Sequence, residues 1–178
     1  HLSLQSGCND TLRRMNRKYS TEDFEEVVKR LRNAFPNVIL TTDIIVGFPG
    51  ETEEDFKETL EVVDKCKYDS AFTFIYSPRE GTPAAKMDDK VNMKTKEDRL
   101  HKLNEVINSY SNAANQKYLN KIVPVLIEGI SEKDPNKVFG YTDTMKLVNV
   151  VNASDKIGQI IDVKITDAKS FSLDGEAI

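Results

Sequence analysis

The stretch Thr42-Asp43-Ile44-Ile45-Val46-Gly47-Phe48-Pro49-Gly50-Glu51-Thr52 decides how the 178 residues are read. Val38 to Val46 is apolar and β-branched, interrupted by Thr41, Thr42 and Asp43, which predicts a buried parallel strand. Gly47 to Gly50 predicts a tight turn, and Thr52 a helix cap with Glu53, Glu54 and Asp55 in the first turn. Phe56, Leu60 and Val63 then recur as the inner face of that helix. A carboxylate inside an apolar strand costs on the order of several kcal/mol unless it is paired or hydrogen-bonded. Asp43 therefore carries information, and two readings stand. It is held by a structural arginine or by neighbouring hydroxyls, or it accepts hydrogen bonds from a ligand's hydroxyls, as acidic residues near strand ends do for ribose. Gly47 to Gly50 is either turn chemistry alone or a place where backbone approaches a ligand.

Upstream, Leu2 and Leu4 alternate with polar residues, which predicts a short strand over His1 to Ser6. The basic stretch Arg13-Arg14-Met15-Asn16-Arg17-Lys18 is a solvated loop or an anion contact. Ser20 and Thr21 are caps for a helix with Phe24, Val27, Val28 and Leu31 at helical spacing, ended by Pro36. Downstream, Ala71 to Tyr76 predicts a third strand. Its Phe72, Phe74 and Tyr76 read as core filling in preference to a stacking platform. Strand and helix alternate at a period of roughly 35 residues, the rhythm of β/α units. In such units the working residues gather at the C-terminal strand ends. That rule selects Gln5 to Gly7, Asp43 with the turn after it, and Tyr76, Ser77 and Arg79. A loop with Pro78, Gly81 and Pro83 follows, then a long helix from about Lys94 to Tyr118.

After that helix the texture changes. Short β-rich runs at Ile122–Glu128, Val138–Thr142, Lys146–Val151, Gln159–Ala168 and Ser172–Ala177 are separated by turn signals. Five short strands in so few residues predict a small closed barrel of the size that carries oligonucleotides, with a boundary near Asn120. The expected domains are thus residues 1–119 and 120–178.

Composition bounds the alternatives. A chain 39% hydrophobic and 30% charged is that of a folded protein, and no apolar run approaches a membrane span. The sequence opens on His1 with no charged-then-apolar leader, so neither a secretory signal nor membrane association is expected. Two cysteines, Cys8 and Cys66, build neither a disulfide framework nor a four-cysteine metal site and read as structural. His1 and His101 have no partner pattern and read as non-catalytic. A net charge of -4 excludes nucleic-acid binding through a bulk field, so any such contact is local. All seven arginines lie at or before Arg99, while eight lysines and nine acids lie from Lys117 onward.

Longer motifs are specific. His1-Leu2-Ser3-Leu4-Gln5-Ser6-Gly7, with Leu12, Met15, Arg17 and Tyr19, resembles the fourth barrel strand and exit loop of radical-SAM methylthiotransferases. Thr42 to Thr52 resembles the next strand and turn, and Phe72 to Ala85 the sixth. Val125 to Gly129, Gly140-Tyr141-Thr142, Val148-Asn149, Gly158 and Leu173-Asp174-Gly175 resemble the TRAM domain that ends these enzymes and binds RNA. Within the family the chain looks most like the MiaB type, which methylthiolates isopentenyladenosine beside the tRNA anticodon; Phe72 to Met87 carries that distinction. It departs from the family at Ser3, usually Pro, and at Cys8, usually Ser.

The resemblance implies an α/β fold: a partial (β/α) radical-SAM TIM-like barrel followed by an all-β, five-stranded, OB-like TRAM barrel. It implies S-adenosyl-L-methionine as cofactor, with Gln5 and Asp43 meeting its ribose hydroxyls, Arg17 its carboxylate, and backbone at Val46, Gly47 and Phe48 its adenine. Ser77, Arg79 and Thr82 would line the substrate side, where a loop-ordering Arg79 is the structural alternative. Lys133, Lys137, Tyr141 and Lys146 would touch RNA, against the alternative of a solvated rim. The implied [4Fe–4S] clusters need a Cys-x3-Cys-x2-Cys loop that this sequence lacks. The expectation is a fragment holding the later half of the barrel and the TRAM domain, inactive alone and prone to self-associate through two free sheet edges. Implied partners are the tRNA anticodon arm and an electron donor, and the implied location is cytoplasmic. A sister enzyme acting on threonylcarbamoyl-adenosine tRNA or on a ribosomal protein, or a non-catalytic RNA-binding module, remains open.

Overall fold

A computed structural model describes residues 1–178. The chain divides into two compact units, His1–Tyr110 and Ser111–Ile178, and the division falls inside its longest helix.

The first unit carries helices α1 (Asn9–Arg14) and α2 (Thr21–Ala34), strand β1 (Thr41–Val46), helix α3 (Glu53–Cys66), strand β2 (Ser70–Ile75) and most of helix α4 (Met93–Gln116). Two of its helices begin on reciprocal caps. The Ser20 hydroxyl accepts the Asp23 N–H while the Asp23 carboxylate accepts the Ser20 N–H, and Thr52 and Asp55 do the same for α3. Each cap satisfies donors that a bare helix start would leave open, a contribution of about 1 kcal/mol.

Strands β1 and β2 pair in parallel from Thr41 opposite Ser70 to Val46 opposite Ile75. Alternation then sorts their side chains. Thr42, Ile44 and Val46 are buried; Ile44 and Val46 form the core against the helices with Leu4, Phe56, Val62, Val63, Tyr68, Leu103 and Ile107, while the Thr42 hydroxyl accepts the Leu4 N–H at 3.0 Å. Asp43, Ile45, Phe72 and Phe74 face the other way. Phe72 and Phe74 are 60% and 51% exposed, so they are not core filling; Ala71 and Ile75 pack on the core in their place.

Three expectations for this unit change. The segment His1 to Ser6 runs beside β1, through Leu2 N–H to Thr41 O at 2.9 Å and Gln5 N–H to Asp43 O at 2.8 Å, but forms only a single bridge at Gln5–Ile44. Gln5 sits at φ +69°, which breaks the extended run. Strand β1 starts at Thr41 and not at Val38. The Val38 N–H is held in a turn by Phe35 O, and the Leu40 N–H by the Asp69 carboxylate, so neither amide enters the ladder. Finally, a short helix over Asn9–Arg14 takes in the first two residues of the basic stretch, Arg13 and Arg14.

The second unit is the expected closed barrel. Strands β3 (Ile122–Ile130), β4 (Lys137–Thr142), β5 (Leu147–Val151), β6 (Ile160–Ala168) and β7 (Leu173–Ala177) close in the order β3-β4-β5-β7-β6. Only β5 and β7 run parallel. Val125, Ile127, Val148, Val150, Val163, Ile165 and Leu173 point inward with no exposure. Bulges at Ile127/Gly129 and Ile165/Asp167 bend the long strands around so small a core. Gly140 is required by close approach, since a Cβ there would overlap the Leu126 carbonyl.

Candidate functional site

The C-terminal ends of the parallel segments, with the loops that follow them, enclose a cavity of about 690 Å³ within the first unit. Gln5, Arg17, Asp43 and Phe48 line it, as do Ser77, Arg79 and Thr82. They come from four separate stretches, the segment before α1, the loop after α1, β1 with the turn that follows it, and the loop after β2, which the fold brings to one place. Val46 is different: its side chain is fully buried in the helix-side core, and its carbonyl accepts the Tyr76 N–H at 2.9 Å. Gly47 lies behind the wall, and Phe48 forms the wall.

One side of the cavity is anionic. Asp43 is half-buried, and its Oδ2 accepts the Ser3 hydroxyl at 2.8 Å and lies 3.1 Å from His1 Nε2. Its Oδ1 takes no bond from the chain. Of the two readings of Asp43, the structural one is met in part: the Ser3 hydroxyl and the His1 imidazole, and no arginine, hold Oδ2. His1, which has no partner pattern in the sequence, thus touches Asp43, Ser3 and Thr41. Gln5 is buried at the cavity edge in the left-handed region, a conformation that costs a bulky residue about 1 kcal/mol and is found where a side chain must be aimed.

The other side is cationic. Arg14 donates to Asp55 at 3.0 Å and to the Thr11 hydroxyl at 2.8 Å, and its buried Nε has no partner. Burial raises the pKa of Asp55, but the Thr52 N–H and the Arg14 guanidinium outweigh it and hold the carboxyl below its ordinary value. Arg14 is therefore committed to the protein. Arg17 and Arg79 are exposed and make no ion pair, which leaves two free guanidinium groups on the wall. Between the two sides stands an aromatic corner, Phe48 edge-on to Tyr76 with ring centroids 5.0 Å apart. A carboxylate for hydroxyls, a guanidinium for a carboxylate and aromatic faces for a purine suit one zwitterionic nucleoside-like ligand.

Neither cysteine works here. Cys8 and Cys66 are both buried, and burial pushes the Cys8 thiol up to about 11. No three metal-binding side chains of the His, Cys, Asp or Glu type stand together. The residues present do not fit an iron–sulfur cluster.

In the second unit, Lys133 is exposed in a turn and Lys137 lies 3.9 Å from Asp174. Tyr141 stands edge-on to Phe139 on the outer face of β4, with centroids 6.3 Å apart. Lys146 is buried at 8% exposure, which takes it out of a surface that tracks phosphates. Phe139 is the aromatic that sequence reasoning missed; its alternation with Val138 and Gly140 was the available signal. In the first unit the missed residues are His1, Glu51, Lys96 and Arg99. Only Glu51, closing the Gly-rich turn, carried any signal.

Two family models match separate parts of the chain. Residues 1–63 match the Radical SAM superfamily and residues 116–178 match the TRAM domain. Over all 178 residues the chain is 53% identical to the tRNA-2-methylthio-N(6)-dimethylallyladenosine synthase of Bacillus cytotoxicus. It is 54% identical to the protein of the same name from Clostridium tetani and 52% to that from Alkaliphilus oremlandii. The chain spans 35%, 39% and 38% of the lengths of these three relatives. No helix is long and apolar enough to cross a membrane.

Proposed function

We propose, for a chain that joins a Radical SAM superfamily segment at residues 1–63 to a TRAM domain at residues 116–178, that it is part of a tRNA methylthiotransferase. The parent adds a methylthio group to C2 of isopentenyladenosine, the dimethylallyl-bearing nucleoside named for its relatives, next to the anticodon. The first unit supplies an S-adenosyl-L-methionine site as the later part of a (β/α) barrel. The second, from about Asn120, supplies RNA affinity. One observation carries this reading: Gln5, Arg17 and Asp43, the three residues that the family resemblance selects, converge on one cavity at the C-terminal strand ends.

The residues divide the ligand between them. Asp43 Oδ1, free of protein partners, accepts from a ribose hydroxyl while Ser3 and His1 hold Oδ2. Gln5 offers an amide to the neighbouring hydroxyl. Arg17, unpaired, takes the methionine carboxylate through its planar fork. Phe48 and Tyr76 exclude water from the adenine. Ser77, Arg79 and Thr82, on the loop after β2, face the incoming nucleoside. When bound, the cofactor supplies the radical precursor and the methyl group; the chain's own side chains bind and orient it. The clusters would be held by parts of the parent other than these residues, and an electron donor would reach them there as a separate partner. Lys133, Lys137 and Tyr141, with Phe139, form the RNA-facing surface of the barrel. A cytoplasmic location goes with a tRNA substrate.

Nucleoside profiling of tRNA from cells lacking the gene tests the reading. Loss of the methylthio group from the isopentenyl-bearing nucleoside alone is expected. Its persistence, with loss of a threonylcarbamoyl-linked product, would assign the sister activity. No change in any tRNA nucleoside would contradict the proposal.

A further inference from the structure

Two basic side chains of α4 reach under the turn that follows β1. Arg99 is buried, with 7% of its side chain exposed, and donates to Glu51 Oε2 at 2.8 Å and to the Glu51 carbonyl at 3.2 Å. Glu51 is more enclosed still, at 1%, and the same Oε2 accepts the Gly47 N–H at 2.5 Å. The Arg99 guanidinium also lies 5.6 Å from the centre of the Phe56 ring. One turn earlier on α4, Lys96 is buried as well. Its stem fills the place a Cβ on Gly47 would need. Its ammonium pairs with Asp89 at 2.5 Å and sits 5.6 Å from the centre of the Tyr76 ring.

A buried ion pair is a poor source of net stability, because desolvation cancels most of its attraction. What this pair fixes is a peptide. Gly47 and Gly50 both sit at positive φ, +70° and +79°, so the turn has backbone freedom that L-residues would deny it. Glu51 Oε2, anchored by Arg99, accepts the Gly47 N–H while the Val46 carbonyl accepts the Tyr76 N–H at 2.9 Å, so the Val46–Gly47 peptide that leads into the turn is held at both ends. Phe48 is thereby set against Tyr76, and Lys96 holds Tyr76 from behind. One face of one helix thus locks both aromatic walls of the cavity.

We propose that Glu51 and Arg99 are positioning residues for the adenosine end of the cavity. They touch no ligand and act through the Val46–Gly47 peptide, which sets the turn that carries Phe48. The inference rests on the reading that the cavity takes S-adenosylmethionine.

Glu51→Gln keeps an acceptor of the same shape for the Gly47 N–H and removes the charge; Arg99→Met keeps the stem and removes the pair. Titration calorimetry of the 178-residue chain with S-adenosylhomocysteine, and separately with 5′-methylthioadenosine, reads the effect. Backbone amide spectra read the turn. Both variants are expected to lose at least tenfold in affinity, by the same factor for the two ligands, since the turn serves only the adenosine they share. The Gly47 and Phe48 amides move, and the amides of α2 do not. A general loosening would instead shift amides throughout the unit. Should Arg99→Met fail to fold, the isosteric Glu51→Gln carries the test alone. Wild-type binding with unchanged affinity in folded Glu51→Gln, or unmoved Gly47 and Phe48 amides, would overturn the positioning role while leaving the cofactor reading intact. No binding by the wild-type chain would overturn both.

Discussion

The two units solve the same problem in opposite ways. The barrel of residues 122–177 closes on itself, so every strand has two neighbours, and seven aliphatic side chains are sealed inside with no exposure. The sheet of the first unit has two strands and one bridge, and its helix side alone is sealed. Its other face keeps Phe72 and Phe74 more than half exposed and leaves the outer edge of β2 unpaired. Under the proposed function, the closed unit offers its outer surface to RNA and the open sheet receives its ligand at the strand ends. The alternation of side chains is equally regular in both; what differs is whether both faces find partners.

Substitutions can break or sharpen this contrast. The largest effect belongs to the sealed barrel. Ile127→Ala removes a fully buried side chain and is expected to cost about 3–4 kcal/mol, read as a lowered urea midpoint. Gly140→Ala comes next, at roughly 2–3 kcal/mol, because the new methyl must displace the Leu126 carbonyl and with it the β3–β4 ladder. In the first unit Thr52→Ala opens the α3 cap at about 1 kcal/mol. Phe72→Ala on the bare face should shift stability by less than about 0.5 kcal/mol. A Phe72→Ala cost as large as that of Ile127→Ala would break the comparison. The smallest effect is chemical. With its pKa raised to about 11 by burial, the Cys8 thiol stays protonated at pH 8 and becomes the reactive thiolate only as the pH climbs toward that value. Iodoacetamide labelling at pH 8 should therefore be far slower for folded than for urea-unfolded chain, and equal rates would contradict the burial.

The contrast also explains what the sequence could and could not reveal. The barrel strands were legible because alternation, turn residues and short spacing all agree there. Strand β1 and the turn after it were legible for the same reason, although the strand begins at Thr41, where Asp69 and the Phe35 turn release the backbone to the ladder. Phe72 and Phe74 misled: a strand apolar on both faces looks alike whichever face is covered, and only the tertiary arrangement decides. Helix α1 was hidden because six residues rich in charge hold no apolar period. The site was legible as residue types and opaque as contacts. Asp43 stood out as a carboxylate in a strand, but His1 beside it is 42 residues away in sequence, and Arg99 is 48 from Glu51. Separations of that length say nothing about distance until the strands are laid side by side.

Gln5, Arg17 and Asp43 converge on one cavity, the proposed site for S-adenosylmethionine. Calorimetric titration of S-adenosylhomocysteine into the chain and into its Asp43→Ala variant tests it most directly. Saturable one-site binding by the chain is expected, with at least a tenfold loss in the variant and the urea midpoint of the barrel unit unchanged. Equal affinity in the two proteins would contradict it.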